Sequence, residues 1–180
     1  RLLHDSLNRD GHVVKLVREP GETQLGETLR GILSGGNRIS STWAELFLFE
    51  ASRAQLVQEV LLPHLKEGYI IIADRFIDSS LAYQGYARGL DISSVRSVNT
   101  LAAHGITPDI TILLDVSPKE GLRRIDSRRT GPFEEETLEF HQRVREGYLQ
   151  LAKDDPYRWI VLDGTLSMDE IANQIATRIK

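Results

Sequence analysis

The stretch Tyr69-Ile70-Ile71-Ile72-Ala73-Asp74-Arg75-Phe76 is apolar and rich in isoleucine, then abruptly charged. A continuous apolar run this short, with no polar alternation, fits a strand buried on both faces, as in a parallel sheet. Three further runs share its character: Val13 to Val17, Ile110 to Leu114 and Trp159 to Leu162. Segments with helical periodicity lie between them and supply the crossovers that parallel strands require. The fold predicted is α/β, a three-layer sandwich with a parallel sheet flanked by helices. Its longest helix is expected from about Trp43 to Lys66, with Phe47, Ala51, Ala54, Leu61 and Leu65 as the core stripe. Phe49 and Arg53 then stand one turn apart on another face, where a ligand or a second subunit would have to meet them.

The chain has 180 residues and no repeat, low-complexity tract or linker, so residues 1–180 read as a single domain. A formal net charge of -4 argues against a general nucleic-acid binder, which usually carries a basic excess. The absence of cysteine rules out disulfides, zinc-thiolate sites and thiol catalysis. No apolar run approaches the roughly 20 residues that span a bilayer, and Arg1-Leu2-Leu3-His4-Asp5 lacks the apolar core of a secretory signal. No membrane partner is expected, and the expected location is the cytoplasm.

In open α/β sheets ligands bind beyond the carboxyl ends of the strands. The segments there are Arg18-Glu19-Pro20-Gly21, Asp74-Arg75-Phe76 and Asp115-Val116-Ser117-Pro118. Arg75 could fork two N–H groups onto a phosphate, the geometry that guanidinium provides best. Asp74 could hold magnesium through water or orient Arg75; the plainer alternative is a salt bridge at a helix start, with Asp74 as N-cap. Pro20 and Gly21 fix a tight turn from which Arg18 and Glu19 project. Arg123, Arg124, Arg128 and Arg129 fall within seven residues and run into Gly131-Pro132. They suit either a lid around 123–135 that closes on phosphates or a solvated helix end whose cations offset the dipole. The histidines, at 4, 12, 64, 104 and 141, show no metal-ligand spacing and read as surface or packing residues.

In this order the pieces resemble the bacterial-type thymidylate kinases, members of the nucleoside monophosphate kinase group of P-loop proteins. The resemblance spans nearly the whole chain. It rests on Arg18-Glu19-Pro20-Gly21 with Thr23 and Leu25, on Phe49-Glu50-Ala51-Ser52-Arg53, and above all on Asp74-Arg75-Phe76 with Ser79-Ser80 and Ala82-Tyr83-Gln84-Gly85. Pro108-Asp109, Leu114-Asp115-Val116, Gly121-Leu122, Phe140 and Tyr148 complete it. The resemblance implies phosphorylation of dTMP to dTDP by ATP with magnesium, a step in dTTP synthesis. Phe49 would stack on thymine and Arg53 would hydrogen-bond a base carbonyl. Gln84, with Ser80 nearby, would address the base edge, and Tyr83 would pack near the sugar. Arg75 and Arg30 would hold the acceptor phosphate, with Arg18 and Glu19 lining the same end. Arg124, Arg128 and Arg129 would form the lid over ATP. A homodimer through the 43–66 helix is also implied.

The sequence departs from the family in three places. The family opens with a strand and a Gly-rich phosphate loop ending in Gly-Lys-Ser/Thr; none is present here, and Arg1-Leu2-Leu3-His4 reads like the middle of the helix that follows such a loop. Roughly 20 residues would then precede Arg1 in the parent protein, the size of a strand, a loop and a first helical turn. That strand would be the central one, so the sheet is expected to be split. Glu22 stands where the family usually has a second glycine, and Gly131-Pro132-Phe133-Glu134 lacks a preceding Asp-Arg pair. Two alternatives stay open: a kinase for another deoxynucleoside monophosphate, and a catalytically inactive nucleotide-binding protein.

Overall fold

The computed structural model describes residues 2–35, 39–125 and 131–179. The chain runs through α1 (Leu2–Arg9), β1 (Val14–Arg18), α2 (Gln24–Ser34), α3 (Thr42–Leu56), a π-helical turn (Val57–Leu61) and α4 (Leu62–Lys66). It continues through β2 (Ile70–Asp74), α5 (Ile77–Ser80), a second π-helical segment (Leu81–Ala87) and α6 (Ile92–Ala102). Then come β3 (Thr111–Asp115), α7 (Pro118–Arg124), α8 (Leu138–Asp154), β4 (Trp159–Asp163) and α9 (Met168–Arg178).

Each predicted apolar run forms a strand within one residue of its expected bounds, and the fold is α/β with parallel strands. β1 pairs with β2, Val14 opposite Ile70 through Arg18 opposite Asp74. β3 pairs with β4, Thr111 opposite Trp159 through Asp115 opposite Asp163. Among the described residues the two pairs form separate sheets, the split that the sequence leads one to expect. Burial on both faces holds only in part. Val17, Trp159 and Leu162 are buried, whereas Leu16, Leu114 and Val161 are 40%, 48% and 39% exposed. A two-stranded ribbon gives each strand one neighbour, so its open edges leave side chains half covered.

The predicted 43–66 helix is continuous from Thr42 to Lys66 but is widened by its π turn, where the Leu62 N–H donates to the Val57 carbonyl. Pro63 has no N–H to give, and its ring would press on the carbonyl four residues back; one extra residue in the turn relieves both problems. Of the predicted core stripe only Leu61 is buried, and Ala54 is half-buried. Phe47 is 53% exposed, Ala51 is exposed and Leu65 is 42% exposed, while Leu46, Glu50, Arg53, Leu56 and Val57 face inward. A wheel that counts only apolar residues misses an inward face whose charges satisfy one another. The π turn then shifts the phase, so Leu61 no longer continues the line of Phe47.

Helices around the strand ends start where hydroxyl side chains cap them. Thr23 accepts from the Gly26 N–H, Ser117 from Glu120 and Thr137 from Phe140, each cap contributing about 1 kcal/mol. α8 lies tight against the second π segment: a Cβ on Gly147 would sit 2.7 Å from Cβ of Tyr86, so only glycine permits this approach. Phe140, Val144, Ala82 and Ala87 pack in that contact. No helix among the described residues is long and apolar enough to cross a membrane.

Candidate active site

A cavity of about 460 Å³ opens beyond the carboxyl ends of the strands. Of the residues predicted from sequence, Glu19, Arg30, Phe49, Arg53, Arg75, Ser80, Tyr83 and Gln84 all line it. Arg18, Asp74 and Arg124 do not line it, and Arg128 and Arg129 lie outside the described residues.

Arg53 is the largest fully buried side chain among the described residues, and its neighbours explain how a charge can sit there. Its Nε and Nη2 donate to Oε2 of Glu19 at 3.0 and 2.7 Å. Its Nη1 donates to Oε1 of Glu50, Oδ1 of Asn99 at 2.8 Å and Oγ of Ser80 at 3.1 Å. Asn99 is itself fixed by donating to the Ile77 carbonyl, and the Phe76 ring lies 5.4 Å from the guanidinium carbon. Such burial costs several kcal/mol per ion unless each donor and acceptor is answered. Two carboxylates face one guanidinium, and burial holds the Glu19 carboxyl above its usual range against the pull of Arg53. Oε2 of Glu50 is buried without a partner among the described residues.

Gln84 is also buried, and its Nε2 donates to Oε1 of Glu45 at 2.8 Å. Phe49 and Tyr83 meet Phe133 at ring-centroid distances of 5.9 and 5.6 Å, so the three rings line the cavity as one aromatic cluster.

Arg75 adopts φ 70°, the left-handed region that a side chain enters at a cost of order 1 kcal/mol. That backbone turn lays the guanidinium against Tyr83, 5.0 Å from the ring centroid, with Nη2 3.3 Å from the hydroxyl. Asp74 does not cap the following helix. Phe76 holds the N-cap position without a side-chain bond, and the Asp74 carbonyl accepts from the Glu19 N–H at 3.0 Å. Arg30 donates from Nη1 to the Pro20 carbonyl at 2.9 Å, pinning α2 to the turn. In that turn Glu22 has φ 67°, which gives a physical reason for glycine being usual at this position. Arg18 turns away to pair with Glu27 at 3.1 Å.

Sequence reasoning missed several lining residues. His141, Val144, Arg145 and Tyr148 all face the cavity from α8, and their i, i+3, i+4, i+7 spacing was the available signal. His141 was read as a surface or packing residue; its Nε2 is buried without a partner among the described residues. Arg145 holds Asp115 through Nε at 2.6 Å and Nη2 at 2.8 Å. The Tyr148 hydroxyl is 2.8 Å from Oγ of Ser79, and burial raises its pKa to about 12, so it stays a neutral hydroxyl.

The arginine run looks different. Arg123 and Arg124 end α7, where both pair with Glu120 and Arg124 also donates to the Gly164 carbonyl at 2.7 Å. For these two residues the solvated helix end is the arrangement found.

Among the described residues no three His, Asp or Glu side chains stand close enough together to hold a metal. A magnesium ion that arrives with phosphates needs only one or two carboxylates. Glu19, Glu50 and Asp115 are engaged by arginines. The Asp74 carboxylate has no hydrogen bond among the described residues and stands at the end of β2, which suits a water-mediated contact.

A family model described as thymidylate kinase matches residues 1–175. A thymidylate kinase of Thermoanaerobacter sp. (strain X514) is 42% identical over 180 residues, covering 100% of this chain and 89% of that protein. One from Caldanaerobacter subterraneus subsp. tengcongensis is 46% identical over 164 residues, covering 91% and 79%. The crystal structure of thymidylate kinase from Ehrlichia chaffeensis matches with a TM-score of 0.80 at 31% identity, covering 99% of this chain and 87% of that one.

Proposed function

The chain belongs to the thymidylate kinase family, and from that premise we infer an ATP-dependent phosphotransferase that converts dTMP to dTDP. The observation that carries this reading is a single cavity lined by aromatic rings, a glutamine amide and guanidinium groups. A planar base wants an aromatic face and a polar edge; a phosphate wants guanidinium. Phe49 would stack on thymine, Arg53 and Gln84 would address its edge with Ser80 nearby, and Tyr83 would flank the sugar. Arg75 and Arg30 would hold the acceptor phosphate. An oxygen of that phosphate attacks the γ-phosphorus of ATP, and ADP leaves. Phosphoryl transfer is mostly positioning and charge neutralisation, so no protein nucleophile is required.

Magnesium would neutralise charge on the ATP phosphates, with Asp74 as the carboxylate able to hold it through water. We read the two strand pairs as parts of one parallel sheet between helical layers, in a single domain whose lid lies around residues 123–135. The outward face of α3 carries Trp43 at 38% exposure and Phe47 at 53%, with Leu25 and Ile32 exposed on α2. Apolar area of this kind suits a homodimer interface, and a cytoplasmic location belongs to the same reading.

ADP formation with ATP, magnesium and each of dTMP, dUMP, dCMP and dGMP tests the assignment. Fastest turnover is expected with dTMP; equal or greater turnover with dCMP or dGMP would overturn it.

A further inference from the structure

Glu45 has no role in the reading above, yet it is 5% exposed and touches a residue of the proposed base site. Its Oε1 accepts from Nε2 of Gln84 at 2.8 Å. The same carboxylate is gripped by Arg88, through Nε on Oε1 at 3.3 Å and Nη2 on Oε2 at 3.1 Å. Arg88 is held in turn: Nη1 donates to Glu136 at 2.6 Å, and the guanidinium carbon lies 4.5 Å from the Phe140 ring centroid. The Phe133 ring lies 5.8 Å from the same carbon, so two carboxylates and two aromatic rings hold this fork.

A primary amide can present either its oxygen or its NH2 group in a given direction, and the two differ by a half-turn. A carboxylate paired with arginine can only accept, so the group facing Glu45 must be the NH2 of Gln84. The amide oxygen then points the other way. Gln84 lines the cavity, and its Oε1 takes no hydrogen bond among the described residues. The cavity is thus offered an acceptor of fixed direction. Thymine and uracil carry an N3–H donor on their pairing edge, whereas cytosine carries a bare N3 acceptor there. An acceptor facing an acceptor leaves two buried polar atoms unpaired, the arrangement that rejects a wrong substrate most strongly.

We propose that Glu45, held by Arg88, is a specificity-determining positioning residue: it sets the amide direction of Gln84 and so selects imide bases over cytosine. The proposal rests on the assignment of Gln84 to the base site. It is distinct from the recognition contact itself, because Glu45 need not touch the nucleotide.

Binding of dTMP, dCMP and ATP, measured by isothermal titration calorimetry on the protein and on Glu45→Gln, tests it. Glutamine has nearly the shape of glutamate but can donate as well as accept, which frees the Gln84 amide to turn over. The ratio of dTMP to dCMP affinity should fall about tenfold or more, with ATP affinity unchanged. An unchanged ratio, with both nucleotides weakened alike, would make Glu45 merely structural and overturn the proposal. Should Glu45→Gln not fold, Arg88→Lys decides: a point charge cannot grip both oxygens, so the ratio should fall, and an intact ratio would overturn the idea. A wild-type protein with no preference for dTMP over dCMP would instead remove the base-site assignment beneath the proposal.

Discussion

Arg53 and Arg124 are both arginines near one cavity, paired with glutamates within four residues along a helix, yet they are held in opposite ways. The Arg53 side chain is 1% exposed and meets Glu19, Glu50, Ser80 and Asn99; that of Arg124 is 44% exposed, on Glu120 and one carbonyl. A buried guanidinium has to be answered on every side, so its position is fixed before any nucleotide arrives. An exposed pair is screened by water and is worth little, so it can be given up when a better anion appears. The surroundings of Arg53 are therefore built as a rigid mould, and those of the arginine run as a surface that can re-pair.

The sharpest way to break this contrast is to remove the buried charge. Arg53→Met would leave Glu19 and Glu50 uncompensated, and urea unfolding should show a loss of about 3–5 kcal/mol. A loss below about 1 kcal/mol would mean that the network is no more binding than a surface pair.

The two regions should also respond to pH with opposite sign. Burial raises the Glu19 carboxyl, so the folded chain holds that proton more tightly than the unfolded one. The stability linked to Glu19 is full below its ordinary value of 4.5 and is lost as pH rises through the raised folded value. Hydrogen bonds from Arg123 and Arg124 hold Glu120 at about 2, so its contribution is present above 4.5 and is lost as pH falls toward 2. Thermal midpoints measured from acid to neutral pH should lose their decline toward neutral pH in Glu19→Gln, and some of their acid fall in Glu120→Gln. The same sign of change in both variants would refute the contrast.

The smallest effect is expected at the surface. Among the described residues Arg123 pairs only with Glu120, three residues away on the same helix. Arg123→Ala should leave the unfolding midpoint within experimental scatter, at low salt and at high salt alike. A clear, salt-sensitive drop would show that the arginine run is structurally engaged.

Much of this was legible in the chain itself. Strand positions followed from apolar runs, and the cavity lies where Glu19 and Arg75 leave β1 and β2, as strand ends in open sheets require. Phe49, Arg53, Tyr83 and Gln84 were named by motif and do converge. Burial was harder to read. The inward face of α3 was missed because it carries Glu45, Glu50 and Arg53, whose partners come from the turn after β1, from α5, α6 and the second π segment. Arg158 reaches back 80 positions to pair with Asp78, and no local pattern announces that bond. Of the readings open for Asp74, the N-cap is the one that the structure removes, because Phe76 holds that position.

By itself, then, the sequence determined which segments become strands and helices, and which chemical groups are delivered to the strand ends. Backbone preference and apolar periodicity act over a few residues and are written into every window of the chain. Only the tertiary structure decided which charges are buried, which way Arg75 and Gln84 point, and which arginine is locked and which is loose. Those outcomes depend on partners dozens of residues away, because a charge enters the interior only where distant groups meet to satisfy it.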